Sequence, residues 1–84
     1  MPTVLRIGSL RFHFYSDEGA EPAYIHVATP DGECKFWLSP VRLARNKGVA
    51  PQVLREIESL VFQHAEFLME KYHEHRSYWR GDQR

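Results

Sequence analysis

Five histidines and one cysteine are the side chains of this sequence best suited to proton transfer, metal binding or nucleophilic attack. His13 and His26 fall in two stretches of alternating polarity, LRFHFY and AYIHVATP. If those stretches are neighbouring strands, the two imidazoles offer an acid–base pair that titrates near neutral pH. Two imidazoles without a third ligand make a poor zinc site, so no metal ligand is assigned and no cofactor is expected. His73 and His75 stand two apart on a helical stretch and diverge, unlike an i, i+4 pair. His64 falls on the apolar stripe of that stretch, the place of a boundary histidine satisfied by one hydrogen bond. Cys34 belongs to the apolar alternation of ECKFWL and reads as a small buried hydrophobe. A nucleophilic thiol would need a base and an activating environment that nothing nearby supplies. The sequence shows no phosphate-cradling glycine loop, no nucleophile elbow and no paired-carboxylate signature. Catalytic chemistry therefore narrows to His13 and His26, with no catalytic residue assigned.

The elements that must position these groups begin with two hairpins. Gly8-Ser9 is the Gly-X pair of a two-residue type II′ turn, which sets Ile7 opposite Leu10, Leu5 opposite Phe12, Arg6 opposite Arg11 and Val4 opposite His13. Asp31-Gly32 is the favoured type I′ pair and predicts a second hairpin with Val27 opposite Phe36, Ile25 opposite Leu38 and His26 opposite Trp37. The polar, acidic stretch SDEGAEP at 16–22 joins the hairpins. Ser39 followed by Pro40 has the form of a cap and first helical residue, predicting a short helical turn over 39–47 that Gly48 ends. Pro51 opens a long helix over 51–77, whose amphipathic inner face runs through Val53, Leu54, Ile57, Leu60, Val61, His64, Phe67, Leu68, Lys71 and Tyr72. Ala50 is a weak cap for it. Residues 78–84 form an expected flexible tail.

Together these elements predict one α+β domain over 1–84: a four-stranded antiparallel sheet within 1–38, a short helical turn, and a long C-terminal helix on one sheet face. Leu5, Ile7, Leu10, Phe12, Phe14, Ile25, Val27, Phe36 and Leu38 face the helix. The opposite face then collects Arg6, Arg11, His13, Tyr15, Tyr24, His26, Lys35 and Trp37, which are the candidate binding residues. Basic and aromatic groups on one plane can stack bases and pair phosphates. Trp, Tyr and Arg are equally the usual anchors of a protein interface. Strand propensity alone would also account for the aromatic residues, and Arg or Lys on an open face for solubility.

Eleven basic residues balance eleven acidic ones, so no global field draws in nucleic acid or an acidic membrane surface. No apolar run reaches the ~18–20 residues that span a bilayer. A lone cysteine and an opening MPTVLRIG without a signal-like apolar segment point to a cytoplasmic setting.

The segments MPTVLRIGSLRFHFYSDEGAEPAYIHV, KFWLSPVRLARNKGVAP and LREIESLVFQHAEFLMEKYHE resemble, over nearly the whole chain, a family of small bacterial proteins known only as a domain of unknown function. Its hallmarks are the MPT-x-LRI-G opening, a strand ending in YS, an IHV strand, an FWL strand and the LREIE helix. Members are often encoded beside a second small domain of unknown function, in gene pairs grouped with toxin–antitoxin modules. Tyr24 stands where the family often has a histidine before IHV, and Ala50 replaces its usual capping serine. A paired-histidine activity in relatives would be half lost here, which the resemblance turns toward binding.

The expected function is thus an interaction module with a protein partner or a second copy of itself, engaged through the basic and aromatic face or a sheet edge. The alternative is a ribonuclease-like toxin, or a plain RNA- or DNA-binding protein, using the same face.

Overall fold

The computed structural model describes residues 3–15 and 22–80, with side chains as far as His75. Five strands form one antiparallel meander in the order β1-β2-β3-β4-β5: β1 (Thr3–Ile7), β2 (Leu10–His13), β3 (Tyr24–Ala28), β4 (Glu33–Leu38) and β5 (Val41–Lys47). Helices α1 (Pro51–Gln63) and α2 (Ala65–Arg80) follow. The fold is α+β with one helical layer, as the sequence predicts, but with a fifth strand and two helices in place of one.

The first hairpin keeps its expected register from the turn outward, Ile7 facing Leu10, Arg6 facing Arg11 and Leu5 facing Phe12. Gly8 supplies the positive φ of 59° that its turn needs. Further out, an irregularity between Thr3 and Leu5 sets Thr3, not Val4, opposite His13.

The second hairpin is displaced by two residues from the Asp31-Gly32 expectation: Val27 faces Cys34, His26 faces Lys35, Ile25 faces Phe36 and Tyr24 faces Trp37. Thr29 explains the shift. Its hydroxyl oxygen accepts from the N–H groups of Asp31 (3.1 Å) and Gly32 (2.9 Å), while its own N–H donates to the Gly32 carbonyl at 2.8 Å. This side-chain turn centres the bend on Pro30-Asp31, one residue earlier than the Asp31-Gly32 alternative. Because a strand has period two, a slip of two leaves every side chain on its expected face.

The expected helical turn over 39–47 is instead β5. Ser39 and Pro40 form the tight turn of a third hairpin that returns Val41 to Leu38, Arg42 to Trp37 and Leu43 to Phe36. Val41 and Leu43 alternate with Arg42, and cross-strand pairing rewards that alternation where a single helical turn would leave it unpaired. An irregularity between Lys35 and Phe36 then sets Arg45 opposite Lys35, and Lys47 ends opposite Glu33. Asn46 closes the strand, its side chain exchanging two 3.0 Å hydrogen bonds with the backbone of Val49. Gly48, at φ 85°, turns the chain toward α1.

The long helix of 51–77 is divided at His64, whose φ of −106° and ψ of 17° leave the helical region, although its N–H still reaches the Leu60 carbonyl at 3.0 Å. Neither proline nor glycine marks the break. The two halves serve different strands: α1 packs on β4 and β5, and α2 on β3 and β4. Ala50 provides no side-chain cap to α1, as expected, and Pro51 occupies its first turn. Residues 78–80 of the expected tail are helical, while 81–84 and the acidic stretch from 16 to 21 lie outside the described residues.

Of the predicted core face, Phe12, Phe14, Ile25, Val27, Phe36 and Leu38 are buried against Ile57, Val61, Leu68 and Tyr72, while Leu5, Ile7 and Leu10 are partly buried at its edge; Tyr24, expected on the other face, belongs to the core as well. At about 25 cal/mol per Å² of apolar area removed from water, these side chains are the main source of stability.

Candidate functional site

The face away from the helices is cationic at its margins and buried at its centre. Arg6 and Arg11 are exposed, as predicted. Tyr15 and Trp37 are half-buried. The other four candidates are not exposed at all: Tyr24 is 1%, Lys35 3%, His26 5% and His13 6% accessible. Alternation places them on the expected face, and the side chains on that face then cover one another.

His13 and His26 are direct cross-strand partners on β2 and β3. Their rings stack at 5.6 Å between centroids, with 16° between planes. From β4, Glu33 meets both. Its Oε2 lies 3.2 Å from His26 Nδ1 and 3.5 Å from His13 Nε2, and it accepts a 2.7 Å hydrogen bond from the Tyr15 hydroxyl. Tyr15 also sets its ring edge-on to His26 at 4.4 Å. One carboxylate oxygen thus gathers three side chains, and its hydrogen bond from the Tyr15 hydroxyl is of the stronger, charge-assisted kind. Burial pushes the His13 pKa below its ordinary value of 6.5, against the upward pull of Glu33. With Nε2 turned to Glu33, His13 Nδ1 is left buried with no hydrogen-bond partner.

Tyr24 joins this cluster to the core. It lies edge-on to His26 at 5.4 Å on one side and touches the rings of Phe14 and Tyr72 on the other, and its hydroxyl donates to the Tyr15 carbonyl at 2.9 Å. Lys35 carries its ammonium 5.0 Å from the Tyr24 ring centroid and 4.9 Å from that of Trp37. Both are cation–π distances, which offset part of the cost of burying a lysine.

Beside the cluster opens a recess of about 170 Å³, walled by Tyr15, His26, Glu33, Lys35, Arg45 and Lys47, with Cys34 at its floor. Burial pushes the Cys34 thiol up to about 11, so it stays protonated, as expected of a small buried hydrophobe. His26 borders the recess and His13 does not. Among the described residues, no group of three or more His, Cys, Asp or Glu side chains is arranged to hold a metal ion.

The remaining histidines are elsewhere. His64 is half-buried at the helix break, His73 is exposed, and His75 stacks on Phe14 at 5.0 Å. Sequence reasoning missed Glu33, Arg42, Arg45 and Lys47. Glu33 shares the parity of Lys35 and Trp37 along β4 and could have been placed from that alone. The other three became visible only once 41–47 is a strand.

Among the described side chains, basic groups gather on the sheet and acidic ones on the helices. Arg6, Arg11, Lys35, Arg42, Arg45 and Lys47 belong to the sheet, whose described acidic residues are Asp31, on a loop, and Glu33. The helices carry Glu56, Glu58, Glu66, Glu70 and Glu74 against Arg55 and Lys71 over their described side chains. Among the described residues, Arg11, Arg42, Arg45 and Lys47 make no ion pair.

Fold and site together define a small α+β protein with a meander sheet, one helical layer and a cationic outer face. Residues 9–73 match the family model described as Domain of unknown function (DUF4160), and the chain belongs to that family. No curated protein and no solved structure matches it. None of the helices among the described residues is long and apolar enough to cross a membrane.

Proposed function

We propose that this protein is a cytoplasmic binding module, of the kind found in toxin–antitoxin gene pairs, whose cationic sheet face and β5 edge receive an acidic segment of a protein partner. The segregation of charge carries this reading. Among the described side chains, the sheet's arginines make no ion pair and most carboxylates lie on the helices, which steers an acidic partner to the sheet. Among the described residues, β5 is an edge strand of seven residues with no strand partner on its outer side, and an extended segment can add there. A second copy of this chain is disfavoured at that edge, since Arg42, Arg45 and Lys47 would meet their own like charges. The same cations would attract RNA or DNA. However, base stacking needs open rings, and Tyr24 and the two imidazoles are covered. A ribonuclease-like reading is left with His26 as its one imidazole on the recess.

The test is capture of the partner from the native host by tagged protein. Arg11→Glu and Arg42→Glu should each weaken capture by more than 1 kcal/mol with stability unchanged, while Glu66→Lys on α2 should bind as wild type. Capture that survives both sheet reversals and fails with Glu66→Lys would place the binding surface on the helices. Loss of the captured material on nuclease treatment would identify nucleic acid instead.

A further inference from the structure

We infer that the outer stripe of α1 is a self-association surface, on which two copies of this chain pair about a two-fold axis. The inference goes beyond the partner reading, since it concerns the helical layer and not the sheet. The stripe consists of Arg55, Glu58, Ser59 and Phe62, spaced i, i+3, i+4 and i+7 and all exposed. Phe62 is the most open large apolar side chain among the described residues, at 74% accessible against 46% for Leu43 and 37% for Phe67. Phe67 also lies under the Lys71 ammonium at 5.6 Å. A single exposed ring is ordinary, but this one stands beside an open recess of about 510 Å³. The recess is walled by the same four helical residues together with Pro40 and Val41, where β5 begins.

The charges decide the occupant. Arg55 and Glu58 make no ion pair among the described residues, either with each other or with a neighbour. The stripe therefore carries one cation and one anion, and a partner of a single sign would be attracted by one and repelled by the other. A second copy, run antiparallel, brings the opposite charge to each. With the axis between Glu58 and Ser59, Phe62 of each copy falls opposite Arg55 of the other, because the two positions are equally far from that axis. Arg55 then stands about one helical turn from the second copy's Glu58, within reach of a guanidinium on a flexible stem, and the ion pair is made twice. Phe62 packs against the aliphatic stem of that arginine and fills the recess beside it. Ser59, small and next to the axis, lets the two helices approach closely.

The β5 cations that would repel a second copy at the sheet edge lie off this stripe. Arg42 faces Trp37 on the polar side, while its neighbour Val41 turns to the recess. The contact is that of a few side chains from each copy, so the pair is weak and dissociates on dilution.

The experiment is sedimentation velocity of the full chain at protein concentrations from about 5 µM to about 1 mM. The weight-average mass should rise from the 9.9 kDa of one chain toward twice that value. Phe62→Ser should weaken association about tenfold or more, while Arg42→Glu should leave it within about twofold. Arg55→Glu and Glu58→Arg each set like charges against one another across the axis, and each should weaken association about tenfold. Mixing these two variants restores both ion pairs, so the mixture should associate within about threefold of wild type. A two-fold pairing of this stripe predicts that rescue, and a diffuse attraction between helices and sheet does not.

A mass that stays at one chain throughout would overturn the inference. So would association unchanged by Phe62→Ser, or a mixture that associates no better than its separate components. Phe62→Ser should capture the acidic partner as wild type does, so loss of capture through Arg42→Glu and loss of self-association through Phe62→Ser report on separate surfaces and on separate readings.

Discussion

Strands β2, β3 and β4 bury side chains on both of their faces, but by different means. Toward the helices they present Phe12, Ile25, Val27, Phe36 and Leu38, hydrocarbon that packs wherever it is kept from water. On the other side they bury His13, Tyr24, His26 and Lys35, whose polar atoms need partners, among them Glu33 for the two imidazoles and the Tyr15 carbonyl for Tyr24. The first face is non-directional and forgiving. The second depends on particular atoms meeting, the Glu33 carboxylate foremost.

Substitutions on the two faces should therefore fail differently. Phe12→Ala should cost about 3–5 kcal/mol, a large share of a small domain's stability, seen as a much lower urea midpoint with unchanged slope. Next in size, Glu33→Ala removes the acceptor of the Tyr15 hydroxyl and the carboxylate beside two imidazoles, and should cost about 1–3 kcal/mol. A Glu33→Ala midpoint equal to wild type would show that the cluster is no more than a covered surface.

A smaller effect separates the faces by pH. His13 has a folded-state pKa depressed by burial below 6.5, so on acidification the unfolded chain takes the proton more readily. Its contribution is fully present above the unfolded value and is lost progressively as pH falls below about 6.5. Urea unfolding at several pH values should show that acid limb, and a His13→Gln variant should flatten it while Phe12→Leu leaves it unchanged. The smallest effect is expected at Phe62 on α1, which is 74% exposed. Phe62→Ser should alter stability by no more than about 0.5 kcal/mol in the same measurement.

Reading the elements from the chain succeeded where local chemistry admits one solution. Gly8-Ser9 allows one tight turn, and the predicted pairs Ile7–Leu10, Arg6–Arg11 and Leu5–Phe12 follow from it. It failed where two solutions share residues. Ser39-Pro40 suits a helix start as well as a hairpin turn, and only the partner strand β4 decides between them. Thr29 outcompeted Asp31-Gly32 for the second turn by bonding through its hydroxyl. The break at His64 has no local signal, since it follows from α1 and α2 packing on different strands. On the site, alternation told which side chains share a face but not that the face would close over itself. Glu33 was the missing piece: it is unremarkable in sequence, and it becomes central only when β2, β3 and β4 are laid side by side.

The measurement that bears most directly on the cationic face is amide hydrogen exchange of the protein alone and in complex with its captured partner. Protection gained along Val41–Lys47 and at the Arg11 end of β2, with α1 and α2 unchanged, is the result expected of an acidic segment added to the β5 edge. Protection confined to α1 and α2, with β5 exchanging as in the free protein, would contradict it and leave the polar cluster as a structural feature of the sheet.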